Sequence, residues 1–175
     1  MIATIKMGFA VILTVLFVMA GSAFAEQFSA KALKTADEMK NLAGQKVEMP
    51  ATMAGVKNIT TEELKKWMDE GKAVVILDNR KDKEYEAEHI PGAKWVGTDE
   101  LLKTGPKVAE AAGVKKDDTI VNYCNGIKCW KSPAASALLL DAGYKNVYWL
   151  RDGIPGWIKK GYDTAAGKEA GSWKK

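Results

Sequence analysis

Both cysteines of the 175-residue chain lie in one short polar stretch, YCNGIKCWKS, at residues 123–132. Cys124 and Cys129 are five positions apart. Two thiols at this spacing could form a structural disulfide, contribute to a metal site, or supply a nucleophile with a companion thiol. A zinc site is disfavoured, because the single histidine, His89, is distant in sequence and zinc prefers a closed set of four ligands. We therefore expect no metal.

The surroundings of Cys124 favour a nucleophile over a buried inert thiol. The apolar run DTIVNYC predicts a strand that ends at Cys124, and Ser132-Pro133 predicts a helix with Ser132 as its cap. Backbone N–H groups in a tight loop and at a helix amino terminus attract negative charge. They should hold Cys124 as the reactive thiolate, with Lys128 adding positive charge, and they could also hold an anionic substrate.

The roles of Cys129 and His89 follow less directly from the residues. Cys129 could be a resolving or redox partner that attacks oxidised Cys124, a structural disulfide partner, or a space-filling side chain. His89 could act as a base for a cysteine nucleophile. Its place just before the turn at Pro91-Gly92 favours a structural role instead.

The elements around this loop alternate between strands and helices. AVVILD, Ala73 to Asp78, is an apolar run typical of a buried parallel strand, and EELKKWMDEG after Thr60 predicts a capped helix. NVYWL and GIPGWIKKG predict a further strand and helix. The pattern predicts an α/β fold with a central parallel sheet of about five strands and helices on both faces. Ligands bind at the carboxyl ends of strands in such sheets, where Cys124, Asp78 and Arg80 should lie.

The amino-terminal residues predict export. Residues 1–25 contain Lys6, an apolar run and the small-residue pattern Ala23-Phe24-Ala25, which is typical of a secretory signal peptide cleaved after Ala25. An uncleaved anchor is the alternative, although the run is short for a bilayer span. We expect a periplasmic or secreted protein that does not stay bound to the membrane. Acidic and basic residues are mixed, which argues against nucleic acid as a partner.

The rest of the chain divides into three predicted parts. Residues 26–57 form an amino-terminal extension that we expect to be partly helical, with Ser29 as a cap. Residues 58–162 contain the alternating strands and helices of the predicted domain. Residues 163–175 are rich in small residues and lysine and predict a flexible tail.

The segment from Ile59 to Tyr162 resembles a single rhodanese domain of the sulfurtransferase family. The likeness lies in VVILDNRKDKEYEAEHIPGA, IVNYCNGIKCW, SPAASALLLDAGYKNVYWL and DGIPGWIKKGY, which occur in the family's order. The resemblance implies a rhodanese-like fold that needs no cofactor. It implies that Cys124 takes a sulfane sulfur from thiosulfate or polysulfide as a persulfide and passes it to a thiol, which a protein could carry. The residues implied to bind the substrate are Asn125, Gly126, Ile127, Lys128 and Trp130, with Asp78 and Arg80 in support.

The loop also departs from the commonest family pattern. Where the family has Arg and then Ser, five and six positions after the cysteine, this chain has Cys129 and Trp130. The missing Arg weakens the case for thiosulfate and argues against the related phosphatases and arsenate reductases. The loop is similar to that of exported rhodanese-like proteins with a second cysteine. Two alternatives stay open: a thiol–disulfide redox protein or sensor using both cysteines, and a non-catalytic binding module.

Overall fold

The structure is a computed structural model that describes residues 27–173, so the predicted signal peptide lies outside the described residues. Five strands and seven helices occur in this part of the chain. In chain order they are α1 (Ala30–Gly44), β1 (Lys57–Asn58), α2 (Thr61–Asp69), β2 (Val75–Asp78), α3 (Asp82–Ala87), β3 (Lys94–Trp95), α4 (Thr98–Thr104), α5 (Lys107–Ala111), β4 (Thr119–Tyr123), α6 (Lys131–Asp141), β5 (Asn146–Leu150) and α7 (Gly153–Lys159).

The strands form one five-stranded sheet in the order β1-β5-β4-β2-β3, and every neighbouring pair is parallel. This confirms the predicted α/β fold. Strand β4 lies in the centre, between β5 and β2, so its apolar residues are buried from both faces. Strand β1 is a two-residue edge strand whose side chains are exposed, and no apolar run in the sequence predicts it.

Helices cover both faces of the sheet. One core contains Ile120 of β4 together with apolar side chains of α4, α5 and α6, and α1 packs on the outside against α6. The other core contains Val121 and Tyr123 of the same strand, together with residues of α2 and α7. Alternate residues of β4 thus face opposite layers, as the pleat of a strand requires.

Helix capping agrees with the sequence at two helices and differs at α6. The Ser29 side chain accepts a hydrogen bond from Ala32 N–H at the start of α1, and Thr60 forms the predicted capping box with Glu63. The prediction that Ser132 caps α6 is wrong, because this helix begins at Lys131 and its N-cap residue is Trp130. The Ser132 hydroxyl is used instead inside the protein, beside Cys124.

The extension that precedes α2 is attached to the rest of the protein by hydrogen bonds at both ends. Ser29 donates from its backbone N–H and its hydroxyl to the Asp141 carboxylate at the end of α6, at 2.7 and 2.5 Å. Near the other end, Met49 N–H donates to the Ile127 carbonyl at 2.8 Å, and Arg151 donates to the Met49 carbonyl at 2.7 Å. The extension therefore contacts the loop that holds the cysteines.

The carboxyl-terminal segment, for which the sequence predicts a flexible tail, contacts the rest of the domain over residues 163–173. Ala165 pairs with His89 in an isolated antiparallel bridge, and Gly92 N–H donates to the Ala170 carbonyl at 2.6 Å. Trp173 packs edge-on against Trp157 and donates through Nε1 to Asp69 at 2.9 Å. The prediction relied on the small and lysine-rich composition, whereas the backbone pairing and one aromatic side chain fix the segment.

A buried ion pair connects β2 to β4. Arg80 donates through Nε and Nη2 to the Asp78 carboxylate, with the shortest contact at 2.6 Å, and the Tyr123 hydroxyl donates to the same carboxylate at 2.6 Å. Asp78 is fully buried. Burial, followed by the charge of Asp78, raises the pKa of Tyr123 well above its usual value, so this hydroxyl remains a donor. Because Tyr123 directly precedes Cys124, the ion pair fixes the strand end that carries the thiol.

We predict that Tyr123→Phe lowers the free energy of unfolding by about 1–3 kcal/mol. The substitution removes the hydroxyl that donates to the buried Asp78 carboxylate and accepts from Ile90 N–H. Urea unfolding monitored by circular dichroism measures the change. Tyr144→Phe is the matched control, because the Tyr144 hydroxyl is buried and has no hydrogen-bond partner within residues 27–173. It should be neutral or slightly stabilising. Equal losses in the two variants would contradict the role assigned to Tyr123.

Candidate functional site

The site lies at the carboxyl edge of the sheet, where β4 ends and the loop of residues 124–130 begins. Cys124 follows the last residue of β4 directly, and Asp78 is the register partner of Tyr123 on the neighbouring strand. The loop leads into α6 at Lys131. The structure therefore brings Cys124, Cys129, Asp78 and Arg80 to the same edge, as the sequence predicted from the strand ends.

Two glycines allow the loop to turn tightly beneath α7. Gly126 has a φ of +93°, and the Cys129 N–H donates to its carbonyl at 2.9 Å. Gly153, at the start of α7, has a φ of +59°, and a Cβ placed there would lie 2.6 Å from Gly126 N and overlap the Cys124 carbonyl. This close approach lets Ile154 N–H donate to the Cys124 carbonyl at 3.0 Å. The backbone of Cys124 is thus held by an element distant in sequence.

The Cys124 sulfur is enclosed. The residue is 1% exposed, and its Sγ lies 2.9 Å from the Ser132 hydroxyl oxygen. Trp149 Nε1 donates to the same hydroxyl at 2.9 Å, which leaves the Ser132 proton free to point to the sulfur. Cys124 Sγ also donates to the Cys129 carbonyl at 3.4 Å. One face of the sulfur can therefore be stabilised as an anion, while its surroundings exclude water.

Cys129 is the more exposed thiol, and both cysteines are free. A hydrogen bond from Cys124 is the largest of the effects that lower the pKa of Cys129 to about 7, and the N–H groups of Lys131 and Asn125 and the charge of Lys131 contribute. Burial, followed by interaction with Cys129, raises the pKa of Cys124 well above its ordinary value. Burial therefore opposes the predicted thiolate at Cys124, whereas hydrogen bonds from the Ser132 hydroxyl and N–H favour it. Two of the loop N–H groups face Cys129, and burial disfavours charge on Cys124.

The side chains around the two sulfurs carry charge of both signs. Asn125 donates to the Glu84 carboxylate at 2.6 Å. Burial raises the pKa of Glu84, but the hydrogen bonds from Asn125 and the Lys81 N–H, with the charges of Arg80 and Lys131, together lower it below its ordinary value. Lys131 forms an ion pair with Asp99. Lys128 is exposed on the loop, and the positive charge that it was expected to add at Cys124 stays a prediction.

Trp130 lies between two cations. The amino groups of Lys40 and Lys131 lie 5.6 and 5.5 Å from the centre of its ring. Lys40 belongs to α1, so the extension contributes to the surface next to the loop. These distances are typical of cation–π contacts. Trp130 is half-buried and packs against the core beneath α6.

A cleft of about 450 Å³ borders the other side of the loop, against α7. Three of the residues predicted to bind the substrate line this cleft, namely Asn125, Gly126 and Ile127. Thr61 also lines it, and its buried hydroxyl has no hydrogen-bond partner among the described residues. The cleft gives a small polar molecule access to the backbone of the loop, but neither cysteine is among its lining residues.

His89 is part of the fold. Its ring is fully buried and stacks on Tyr85 with centroids 4.0 Å apart. Nδ1 lies 2.8 Å from the Tyr85 carbonyl oxygen and Nε2 lies 3.3 Å from that of Ala170. Both ring nitrogens are thus engaged with the backbone, which fits the structural role. Over residues 27–173, no cluster of His, Cys, Asp or Glu could hold a metal ion, and no helix has the length and apolar character to cross a membrane.

Three residues at the site were not identified from the sequence. The sequence pattern predicts Ser132 only as a helix cap and Gly153 only as part of a closing helix, and it assigns no role to Lys131. The position of Lys131, two residues after Cys129, is a signal that could have identified it. Neither the contact between Ser132 and Cys124 nor the close approach of Gly153 has a sequence signal, because each depends on how separate elements pack.

Comparison with known proteins identifies the family of this domain. Residues 60–160, more than half of the chain, match the family described as a rhodanese-like domain. The chain is 40% identical over 87 residues to a tRNA uridine(34) hydroxylase of Photorhabdus laumondii, covering 49% of this chain and 24% of that protein. It is 32% identical over 103 residues to the probable adenylyltransferase/sulfurtransferase MoeZ of Mycobacterium tuberculosis, covering 58% and 24%. The matches thus span about a quarter of these relatives.

Solved structures agree with this fold. The Alr3790 protein from Anabaena sp. superposes with a TM-score of 0.54 at 27% identity, covering 62% of this chain and 81% of that one. A thiosulfate sulfurtransferase from Pseudomonas aeruginosa superposes with a TM-score of 0.54 at 23% identity, covering 82% and 25%. Because the identity to the thiosulfate sulfurtransferase is only 23%, this similarity shows the fold alone.

We predict that iodoacetamide alkylates Cys129 before Cys124, with a pH midpoint for Cys129 near 7. The rate should rise with pH through this midpoint because the thiolate is the reactive form. Peptide mass spectrometry of timed samples separates the two thiols. In the control variant Cys124→Ala the midpoint should move upward, since the largest effect that lowers it is removed. Faster labelling of Cys124 would contradict this assignment.

Proposed function

We propose, because the chain belongs to the rhodanese-like domain family, that it is an exported sulfurtransferase that carries sulfur on Cys124. The sulfur comes from a sulfane donor, thiosulfate or polysulfide. It is held as a persulfide and passes to a thiophilic acceptor, which in the cell is a thiol. The observation that carries the proposal is the position of Cys124. It directly follows β4, at the start of the loop that leads into α6, and it lies within residues 60–160, which match the family.

The first step needs a thiolate at Cys124. The pKa of Cys129 is lowered to about 7 and that of Cys124 is raised, so the pair loses its first proton from Cys129. When the Cys124 proton moves to Cys129, the charge transfers to Cys124, where the Ser132 hydroxyl stabilises it. The Cys124 thiolate attacks the outer sulfur of thiosulfate, the S–S bond of the donor breaks, and sulfite leaves with the electron pair. The product is a persulfide anion on Cys124.

Charge near the loop bears on the choice of donor. The loop has no Arg, and the buried cation Lys131 is paired with Asp99, which leaves Lys128 as the exposed cation of the loop itself. Glu84 places a carboxylate beside Asn125. A dianion such as thiosulfate is therefore held less firmly than in a loop that contains a guanidinium. The absence of a guanidinium therefore supports polysulfide as a donor at least as strongly as thiosulfate.

A thiol–disulfide redox protein is the second candidate. It is favoured by the presence of two free thiols within one loop, whose side chains are linked by a hydrogen bond. A redox protein of this kind would retain no sulfur from the donor, whereas a sulfurtransferase would hold it as a persulfide. A non-catalytic binding module would use the same surface without reaction at either thiol.

Export of the protein is proposed from the sequence of residues 1–25. The apolar run and the Ala-Phe-Ala pattern support cleavage after Ala25 and a periplasmic location. We expect that the protein recovered from the periplasmic fraction of a bacterial host begins at Glu26, as determined by amino-terminal sequencing. Full-length protein in the membrane fraction would contradict cleavage and support an anchor.

We predict that the protein forms thiocyanate from cyanide and a sulfane donor, and that Cys124→Ser lowers the rate to that of the protein-free reaction. Thiocyanate formation is measured with thiosulfate and separately with polysulfide. Cys129→Ser is the matched substitution in the same loop and should still form thiocyanate. Circular dichroism confirms that each variant is folded. Activity in Cys124→Ser equal to the unmodified protein, or no activity with either donor, would overturn the proposal.

A further inference from the structure

We propose that Cys129 resolves the Cys124 persulfide, so that the protein reduces sulfane sulfur to sulfide and closes a disulfide between the two cysteines. This inference rests on the proposed function, because it starts from sulfur bound to Cys124. It adds a second activity, a sulfane-sulfur reductase that uses an external dithiol as the final reductant. It also assigns a chemical role to the cysteine that occupies the usual place of an arginine in the loop.

The geometry of the loop brings Cys129 back to Cys124. The hydrogen bond from Cys129 N–H to the Gly126 carbonyl, at 2.9 Å, closes the turn, and the left-handed conformation of Gly126 permits it. Cys124 Sγ then lies 3.4 Å from the carbonyl oxygen of Cys129. Both thiols are free, so neither is already committed to another partner.

Burial makes Cys129 the favoured attacker of the inner sulfur. Cys124 is 1% exposed, so an external thiol has little access to its Sγ. Cys129 is only partly buried and belongs to the same loop. An intramolecular thiol in contact with its target has a high effective concentration. The first acceptor that can reach Sγ of the persulfide is therefore Cys129.

The resolving step balances without another reagent. The Cys129 sulfur attacks Cys124 Sγ, the bond from Sγ to the outer sulfur breaks, and that sulfur takes the electron pair. It also takes the Cys129 proton and leaves as hydrosulfide. The sulfane sulfur is reduced by two electrons and the two thiols are oxidised to a disulfide. An external dithiol then reduces the disulfide and restores both thiols.

The surroundings of Cys129 support this step. The N–H groups of Asn125 and Lys131 face its sulfur, and the Lys131 cation is close by. These groups stabilise the negative charge that develops near Cys129 during the resolving step.

The test is a single turnover without reductant. Reduced protein, Cys129→Ser and Cys129→Ala each receive one equivalent of thiosulfate or polysulfide with an isotopic label in the sulfane sulfur. Labelled sulfide, free thiols and intact mass are measured together. The chain has only two cysteines, so every change in thiol content is assignable. We expect the unmodified protein to release about one equivalent of labelled sulfide and lose both thiols, while both variants retain the label on Cys124.

Other outcomes separate this inference from the proposed function. A stable persulfide on Cys124 in the unmodified protein, with no sulfide released, would overturn the resolving role and leave sulfur transfer intact. Equal release of sulfide by the Cys129 variants would also overturn it, as would label recovered on Cys129. If the unmodified protein and both folded variants take up no sulfur from either donor, the proposed function fails and this inference fails with it. Thermal unfolding of each variant establishes that it is folded.

Discussion

The hydrogen bond from Ile154 N–H to the Cys124 carbonyl fixes the site on which the account depends. It joins the start of α7 to the end of β4, and it forms only because Gly153 has no side chain to overlap that carbonyl. The buried Asp78–Arg80 pair holds the same strand end from the other side through Tyr123. Between these restraints the loop has little freedom, so its two sulfurs keep a fixed relation. Preorganisation of this kind is what a covalent sulfur carrier requires.

Burial and exposure divide the chemistry between the two cysteines. Cys124 is enclosed and burial raises its pKa, whereas a hydrogen bond from Cys124 and nearby N–H groups lower the pKa of Cys129 to about 7. Transfer of the Cys124 proton to a Cys129 thiolate moves the negative charge to Cys124. The pair therefore acts as a unit, and its titration belongs to both thiols together. The extension reinforces this arrangement from outside, because Met49 N–H bonds the Ile127 carbonyl and Lys40 lies over Trp130.

Much of the fold could be predicted because the chain carries its own local signals. The apolar runs at Val75–Asp78 and Thr119–Tyr123 predicted buried parallel strands, and the position of Cys124 followed from the end of the second. What could not be predicted depends on packing between distant elements. The charge preference of the two thiols depends on which sulfur the loop N–H groups face, and the order of residues 163–173 depends on the contact of Trp173 with Trp157. Neither leaves a periodic pattern in the sequence.

The most direct test of sulfur transfer on Cys124 is a crystal structure of the Cys129→Ser variant after incubation with a sulfane donor. Removing Cys129 prevents resolution, so the first intermediate should persist. The account predicts one extra sulfur atom bonded to Cys124 Sγ, next to the Ser132 hydroxyl, with the loop otherwise unchanged. An unmodified Cys124, or extra sulfur bound anywhere else, would contradict it.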